Sequence, residues 1–386
     1  MTNNTNEMPA SEWIEAVNKE LGENADPASL AIKAIAEARL DVLGLLLSGG
    51  MDVNARAVNN GLSPLEAAVM MGQTESIKCL IELGVDVDAR NNKGDTPMFF
   101  AAGNGQAESI KCLKELGADV NARNNDGLTP MFLAVGKGQT ESIKCLAALG
   151  ADAGAGNIYG LTPMHMAAMF DKTECIKCLA ALGADVNAKD NDGRTPIFTA
   201  AEKGHAECIK YLAALGADVN ARNSRGFSPM FWSVFKNQTE SIKCLAALGA
   251  DVNAKNNNGM TPLFLAAEIG QTEYIKYLAA LGADVNAKDN NDRTPMFSAA
   301  QNDQAESIKC LKELGADVNA KNNNGMTPVF FAAGRGQIAS LKCLKELGAK
   351  LDTKDNAGKT ALDLANISGK AEAAAWLRAN GVQATI

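Results

Sequence analysis

Apolar residues recur along this chain in two short helical stripes separated by glycine. Residues 123–155, RNNDGLTPMFLAVGKGQTESIKCLAALGADAGA, show the unit. Met131, Phe132, Leu133, Ala134 and Val135 form one stripe, and Ile143, Leu146 and Leu149, with Cys145 beside them, form the second. Thr129 suits a helix N-cap and Pro130 the first helical position. Gly138 breaks the first helix, and Gly150 ends the second where a left-handed residue is favoured. Asn124-Asn125-Asp126-Gly127 fits a tight turn ahead of the next Thr-Pro. The pattern predicts helix, turn, helix and hairpin turn. Neither helix is long enough to be stable alone, so each must bury its stripe against the next copy.

The copies keep a strict period. Pro64, Pro97, Pro130, Pro163, Pro196, Pro229, Pro262, Pro295 and Pro328 are each 33 residues apart, and each follows Thr or Ser. Cys79, Cys112, Cys145, Cys178, Cys244, Cys310 and Cys343 follow the same period, with Tyr211 and Tyr277 in the skipped slots. A cysteine that swaps for tyrosine fills a packing slot. Cys175 and Cys208 occupy a neighbouring slot that is mostly Ser, so all nine cysteines read as reduced thiols of an intracellular protein. A 33-residue period marks a repeat array and overrides a domain count from length.

The expected fold is an all-α solenoid of about eleven helix-turn-helix repeats joined by hairpin turns. Residues 1–56 are expected to form an N-terminal helical cap and a degenerate repeat, 57–353 nine regular repeats, and 354–386 a C-terminal capping repeat. Trp13, Ile14, Val17 and Leu21 make the apolar stripe of the first cap, and Ala374, Trp376 and Leu377 serve the last. Asp292 in place of a turn glycine predicts an altered hairpin tip, and Ala153, Gly154 and Gly156 predict a loosened one.

The chain resembles the ankyrin-repeat family. The matching residues are Thr261-Pro262-Leu263, the pair Ala266 and Ala267, Gly270-Gln271 in place of Gly-His, and the closing segment Gly282 to Ala287. One family position departs from the pattern. Where the family carries a hydrogen-bonding His, this chain has Phe99, Phe132, Phe198, Phe231, Phe264, Phe297 and Phe330, and only His165 keeps the family residue. His205 stands at the family's other frequent His position. The resemblance implies a protein partner bound on a concave face made of hairpin tips and first helices.

Composition narrows the function. The 386 residues carry a formal net charge of −8, which argues against phosphate-driven nucleic-acid binding and gives no attraction to an anionic membrane. No apolar run reaches membrane-spanning length, and the start lacks a signal-peptide pattern, so a cytoplasmic monomer is expected. Two histidines cannot build a multi-histidine metal site. Cys175-Ile176-Lys177-Cys178 has the CxxC spacing but no second pair, and the glycine turns lack phosphate-loop spacing. No catalytic, metal or cofactor site is expected.

Two charge rows recur. Glu at 75, 108, 141, 174, 207, 240, 273 and 306 precedes Lys by three residues, as in ion pairs on a solvated helix face. Arg90, Arg123, Lys189, Arg222, Lys255, Lys288, Lys321 and Lys354 line the hairpins, either pairing with hairpin Asp and Asn or forming a basic edge.

Variable slots on the tips and first helices are the candidate contact positions. Large apolar, aromatic and arginine side chains concentrate between 158 and 235: Tyr159, Leu161, Met169, Phe170, Arg194, Arg225, Phe227, Trp232 and Phe235. Such residues are enriched at binding hot spots; the alternative is that they pack on neighbouring hairpins. The expected function is a non-enzymatic scaffold for another protein. A binding inhibitor, an immunity-type protein or a delivered effector that blocks an enzyme, would use the same surface.

Overall fold

A computed structural model describes residues 8–21, 25–52, 54–58 and 61–385. It contains 23 helices among these residues and no sheet; the one backbone bridge joins Lys354 and Thr360. Two compact units divide between Asn191 and Asp192.

The expected unit is realised from its capping residues outward. In the 123–155 copy the first helix is Pro130–Lys137 and the second Thr140–Ala148. Thr129 sits at the N-cap with extended backbone, and Gly138 closes the first helix at φ 77°. Four short polar residues take the left-handed conformation elsewhere occupied by glycine: Asp171, Asn237 and Asp303 between helices and Asp292 at a hairpin tip. Asp and Asn tolerate this region better than other side chains. The tip at Asp292 therefore keeps its turn, with the Asp292 amide donating to the Asp289 carbonyl at 3.0 Å as Gly259 does to Asn256 at 2.9 Å. The predicted alteration there does not occur.

Each helix pair buries the stripe that neither helix could bury alone. Phe99, Phe132, Phe198, Phe264, Phe297 and Phe330 are all at most 1% exposed, with Ile and Leu of the second helices beside them. Phe in place of His has a polar consequence. The hydroxyls of Thr96, Thr129, Thr195, Thr261, Thr294 and Thr327, the N-caps of those same six helices, are buried without a partner. Where the slot is polar the cap is satisfied, and Ser228 is satisfied even with Phe231 in the slot, its Oγ accepting from the Phe231 amide at 3.2 Å. Thr162 shares a 2.9 Å hydrogen bond with His165 Nδ1, and Ser63 and Glu66 cap one another's backbone amides. Thr360 Oγ1 donates to Asp363 at 2.9 Å.

Side chains bonded to the neighbouring repeat hold the turns. The Asn124 Oδ1 accepts from the amides of Asp126 and Leu128, shaping its own turn. Asn125 Nδ2 donates to the Asn92 carbonyl one repeat earlier, and Asn257, Asn290, Asn323 and Asn356 repeat this link in the second unit. A second asparagine row ties the closing segments. Asn121 Oδ1 accepts from the Asp152 amide and its Nδ2 donates to the Gly150 carbonyl. Gly154 interrupts that row because it has no side chain to offer. The loosened 157–161 tip is nevertheless formed, with Asn157 bonded to Leu161 at 2.9 Å.

Trp13, Val17, Leu30, Ala34 and Val42 form a separate apolar cluster, and Trp13 Nε1 donates to Glu37 at 2.8 Å. Leu21, placed on that stripe by its spacing, is 40% exposed and lies off the contact. At the other end Ala374 and Leu377 are buried, and Asp363 accepts from the backbone and hydroxyl of both Thr360 and Thr385.

Candidate protein-interaction surface

The charge rows resolve first, because they decide which surface is spoken for. All eight Glu–Lys pairs on the second helices form, at 2.6–3.4 Å, on exposed faces. They are the solvated ion pairs expected from the spacing, each worth a few tenths of a kcal/mol. The hairpin row bonds mainly to carbonyls rather than to Asp and Asn. Arg90 donates to the Gly94 and Arg123 carbonyls, Arg123 to Gly127 and Gly156, and Arg222 to Gly226 and Lys255. Lys255 reaches the Lys288 carbonyl, and Lys288 meets an acid, Asp292 at 3.5 Å. Much of this row is therefore mortar between successive hairpins.

The cysteines are packing groups. Cys112, Cys145 and Cys244 point their sulfurs at carbonyls 3.5–3.8 Å away at the start of the preceding second helix. Cys175 of the CxxC is buried with its sulfur toward the Val135 carbonyl, and burial pushes its thiol up to about 11. A thiol so raised is neither a nucleophile nor a ready ligand. Among the described residues no three His, Cys, Asp or Glu converge as a metal site, and no helix is long and apolar enough to cross a membrane. His165 is fully buried in its cap.

The nine candidate contact residues fall into two groups, one in each unit. In the first unit Tyr159 lies at a hairpin tip and is 61% exposed, while Leu161 at the base of that turn is half-buried. Met169 ends the helix Pro163–Met169 half-buried, and Phe170 follows it 52% exposed. Tyr159 and Phe170 thus offer aromatic surface from the tip and the helix end of one repeat.

The second group is more tightly built. Trp232 lies at the centre, 5.8 Å from Phe198, 5.6 Å from Phe227 and 5.1 Å from Phe235, centroid to centroid. Phe227 also packs on Phe231 at 4.7 Å. Phe198 and Phe231 belong to the core, so the rings run without a break from the interior to Phe235, which is 48% exposed. Arg225 lies over both Phe227 and Trp232, at 5.4 and 5.8 Å, and Lys236 lies over Phe235. Arg194 reaches Asp192 and Glu202, and Glu202 also meets Lys236. Two readings of these residues thus divide by position. Phe227 and Trp232 serve largely to pack, whereas Arg225 and Phe235 present their surface outward.

The slots beyond 235 are not uniformly polar. Phe331 stacks edge-on against Phe297 at 5.2 Å, and a hollow of about 440 Å³ opens beside it, walled by Met326 and Leu364 and rimmed by Arg293 and Arg335. Gly334 lies at its floor, in the slot that holds Phe235 three repeats earlier and Glu268 and Gln301 between them. A missing side chain next to a Phe and an arginine is the signal that variable-slot reading passes over.

The comparisons agree with this architecture. A family model for ankyrin repeats (3 copies) matches residues 29–124, 83–157, 99–190, 149–223, 230–322 and 314–386. No curated protein matches the sequence. Paired short helices, Thr-Pro caps, glycine-closed turns and stacked hairpins over nearly the whole length place the chain in the ankyrin-repeat family, whose repeats are protein-interaction modules.

Proposed function

We propose that this protein is a non-catalytic scaffold that binds another protein through hairpin tips and first helices of each unit, around Tyr159 and Phe170 in the first and around Arg225 and Phe235 in the second. One observation carries the reading: the ring cluster at Trp232 emerges from the core and ends in exposed Phe235 and Arg225, with no carboxylate of the described chain on Arg225. A guanidinium held flat on aromatic rings is pre-organised, so less side-chain freedom is lost on contact. Tyr159 and Phe170 add exposed aromatic area of the kind concentrated at hot spots. The outer faces of the second helices are less suited, since their charges are already paired in solvent.

The test is affinity capture from native lysate with wild type beside two double variants, Arg225→Glu/Phe235→Ala and Tyr159→Ala/Phe170→Ala. All four positions are solvent-facing, so the variants should keep wild-type circular dichroism. A protein retained by wild type and lost by either variant supports the surface. Equal retention by all three places binding elsewhere and removes the proposal.

A further inference from the structure

The hollow beside Phe331 lies apart from the surface around Arg225 and Phe235 and has its own chemistry. Its floor and walls are apolar: Phe331, Met326, Leu364 and the bare backbone of Gly334. Its rim is cationic. Arg335 ends the helix Pro328–Arg335, is exposed, and meets no carboxylate among the described residues. Arg293 is held by Asp289 at 2.6 Å, which fixes its guanidinium at the edge. Arg335 is thus a rim cation left without a carboxylate, although the whole chain is at −8. A larger hollow of about 550 Å³ lies between the helices Ala107–Glu115 and Thr140–Ala148. There Lys111 and Lys144 are paired with Glu108 and Glu141, and Lys114 shares the lining with Glu115.

We propose that the hollow docks an acidic peptide segment of a partner protein bearing one large apolar side chain. The apolar side chain enters over Gly334, between Phe331 and Leu364, and flanking carboxylates reach Arg335 and the edge held by Arg293. Gly334 is what makes the entry possible. A Cβ there would already lie 3.1 Å from Leu364, and the longer Glu and Gln found in this slot at 268 and 301 would occupy the space. Charge complementarity selects an acidic rather than a basic segment, and it makes the contact sensitive to salt. This site does not depend on the surfaces around Tyr159 and Arg225: either reading can fail without the other.

The test uses the full-length protein and a fluorescein-labelled hexapeptide, Glu-Asp-Ser-Phe-Asp-Glu, read by fluorescence polarisation. The same peptide with lysine at each acidic position is the charge control. Wild type should bind the acidic probe and not the basic one, and binding should weaken as salt is raised. Arg335→Glu and Gly334→Gln should each reduce affinity about ten-fold or more, the loss expected when a central contact is removed. Gly334→Gln introduces a residue that this slot already carries at 301, so the variant stays folded even if Arg335→Glu does not. Equal binding of both probes, or affinity unchanged by Gly334→Gln, would overturn the proposal. So would concentration-dependent self-association that Gly334→Gln abolishes, which would assign the hollow to a second copy of this chain.

Discussion

Within the second unit, the repeat beginning at Ser228 and the one beginning at Thr327 use one framework for opposite ends. In the first, Trp232, Phe235 and Lys236 fill the outer slots of the helix Pro229–Phe235 and stack on one another. In the second, the same three slots hold Phe331, Gly334 and Arg335, and a hollow appears. The buried half of the two helices scarcely differs: Phe231 and Phe330 are at most 5% exposed, behind Pro229 and Pro328. Surface relief is thus set by one or two slots, while the core and caps are held constant. A knob needs a ring at the second outer slot, and a hole needs a glycine there.

Removing the rings beneath each region should have the largest effect. Phe198→Ala takes away a fully buried ring and the stacking partner of Trp232; Phe297→Ala does the same beneath Phe331. Each should cost about 3–5 kcal/mol of stability in urea unfolding. A cost below about 1 kcal/mol would mean the cavity collapses freely and the layers are not close-packed.

The C-terminal cap gives the next effect, and it depends on pH. Burial raises the Asp363 carboxyl, but hydrogen bonds from Thr360 and Thr385 outweigh it and hold the group well below the ordinary carboxylate range. A depressed folded value means that stabilisation is present above the unfolded value of about 4 and is lost as pH falls through the folded one. Asp363→Asn should therefore lower the unfolding midpoint at neutral pH, by about 1–3 kcal/mol for a buried hydrogen-bonded charge. The gap to wild type should narrow below about pH 4, where wild type begins to lose its advantage. A gap independent of pH would show that the carboxylate's charge plays no part.

The six orphan threonines should respond in the reverse sense. Thr261→Val removes a buried hydroxyl that has no partner, and should be neutral or stabilising by up to about 1 kcal/mol. Thr360→Val removes a donor to a buried carboxylate and should destabilise. Equal losses in thermal melts of the two variants would show that the Thr261 hydroxyl is satisfied after all. Smallest is Gly334→Gln, where the gain of a better helix former is set against a Cβ 3.1 Å from Leu364: a net change within about 1 kcal/mol, measured by the same melts.

Most of the fold was legible because the period repeats it. Pro64 through Pro328, the capping Thr and Ser residues and the paired Glu and Lys all stand where the 33-residue spacing puts them. The surface was legible only in part, for physical reasons. Arg90, Arg123 and Arg222 bond to backbone carbonyls, and a carbonyl acceptor leaves no mark in the sequence. Trp232 read as a contact residue because its slot varies, yet the variation is compensated locally by Phe198, Phe227 and Phe235. The hollow is defined by what Gly334 lacks, and a search for large side chains cannot find it. The consequence of the Phe row, six unpartnered threonines, follows only once cap and slot are seen together.

The most direct test of the central claim is amide hydrogen exchange on the full chain, free and saturated with a captured partner. Residues 223–236 and 157–171 should gain protection on binding, while the second helices Thr239–Ala247 and Thr173–Ala181 exchange as before. Protection confined to those second helices, with residues 223–236 unchanged, would contradict the account.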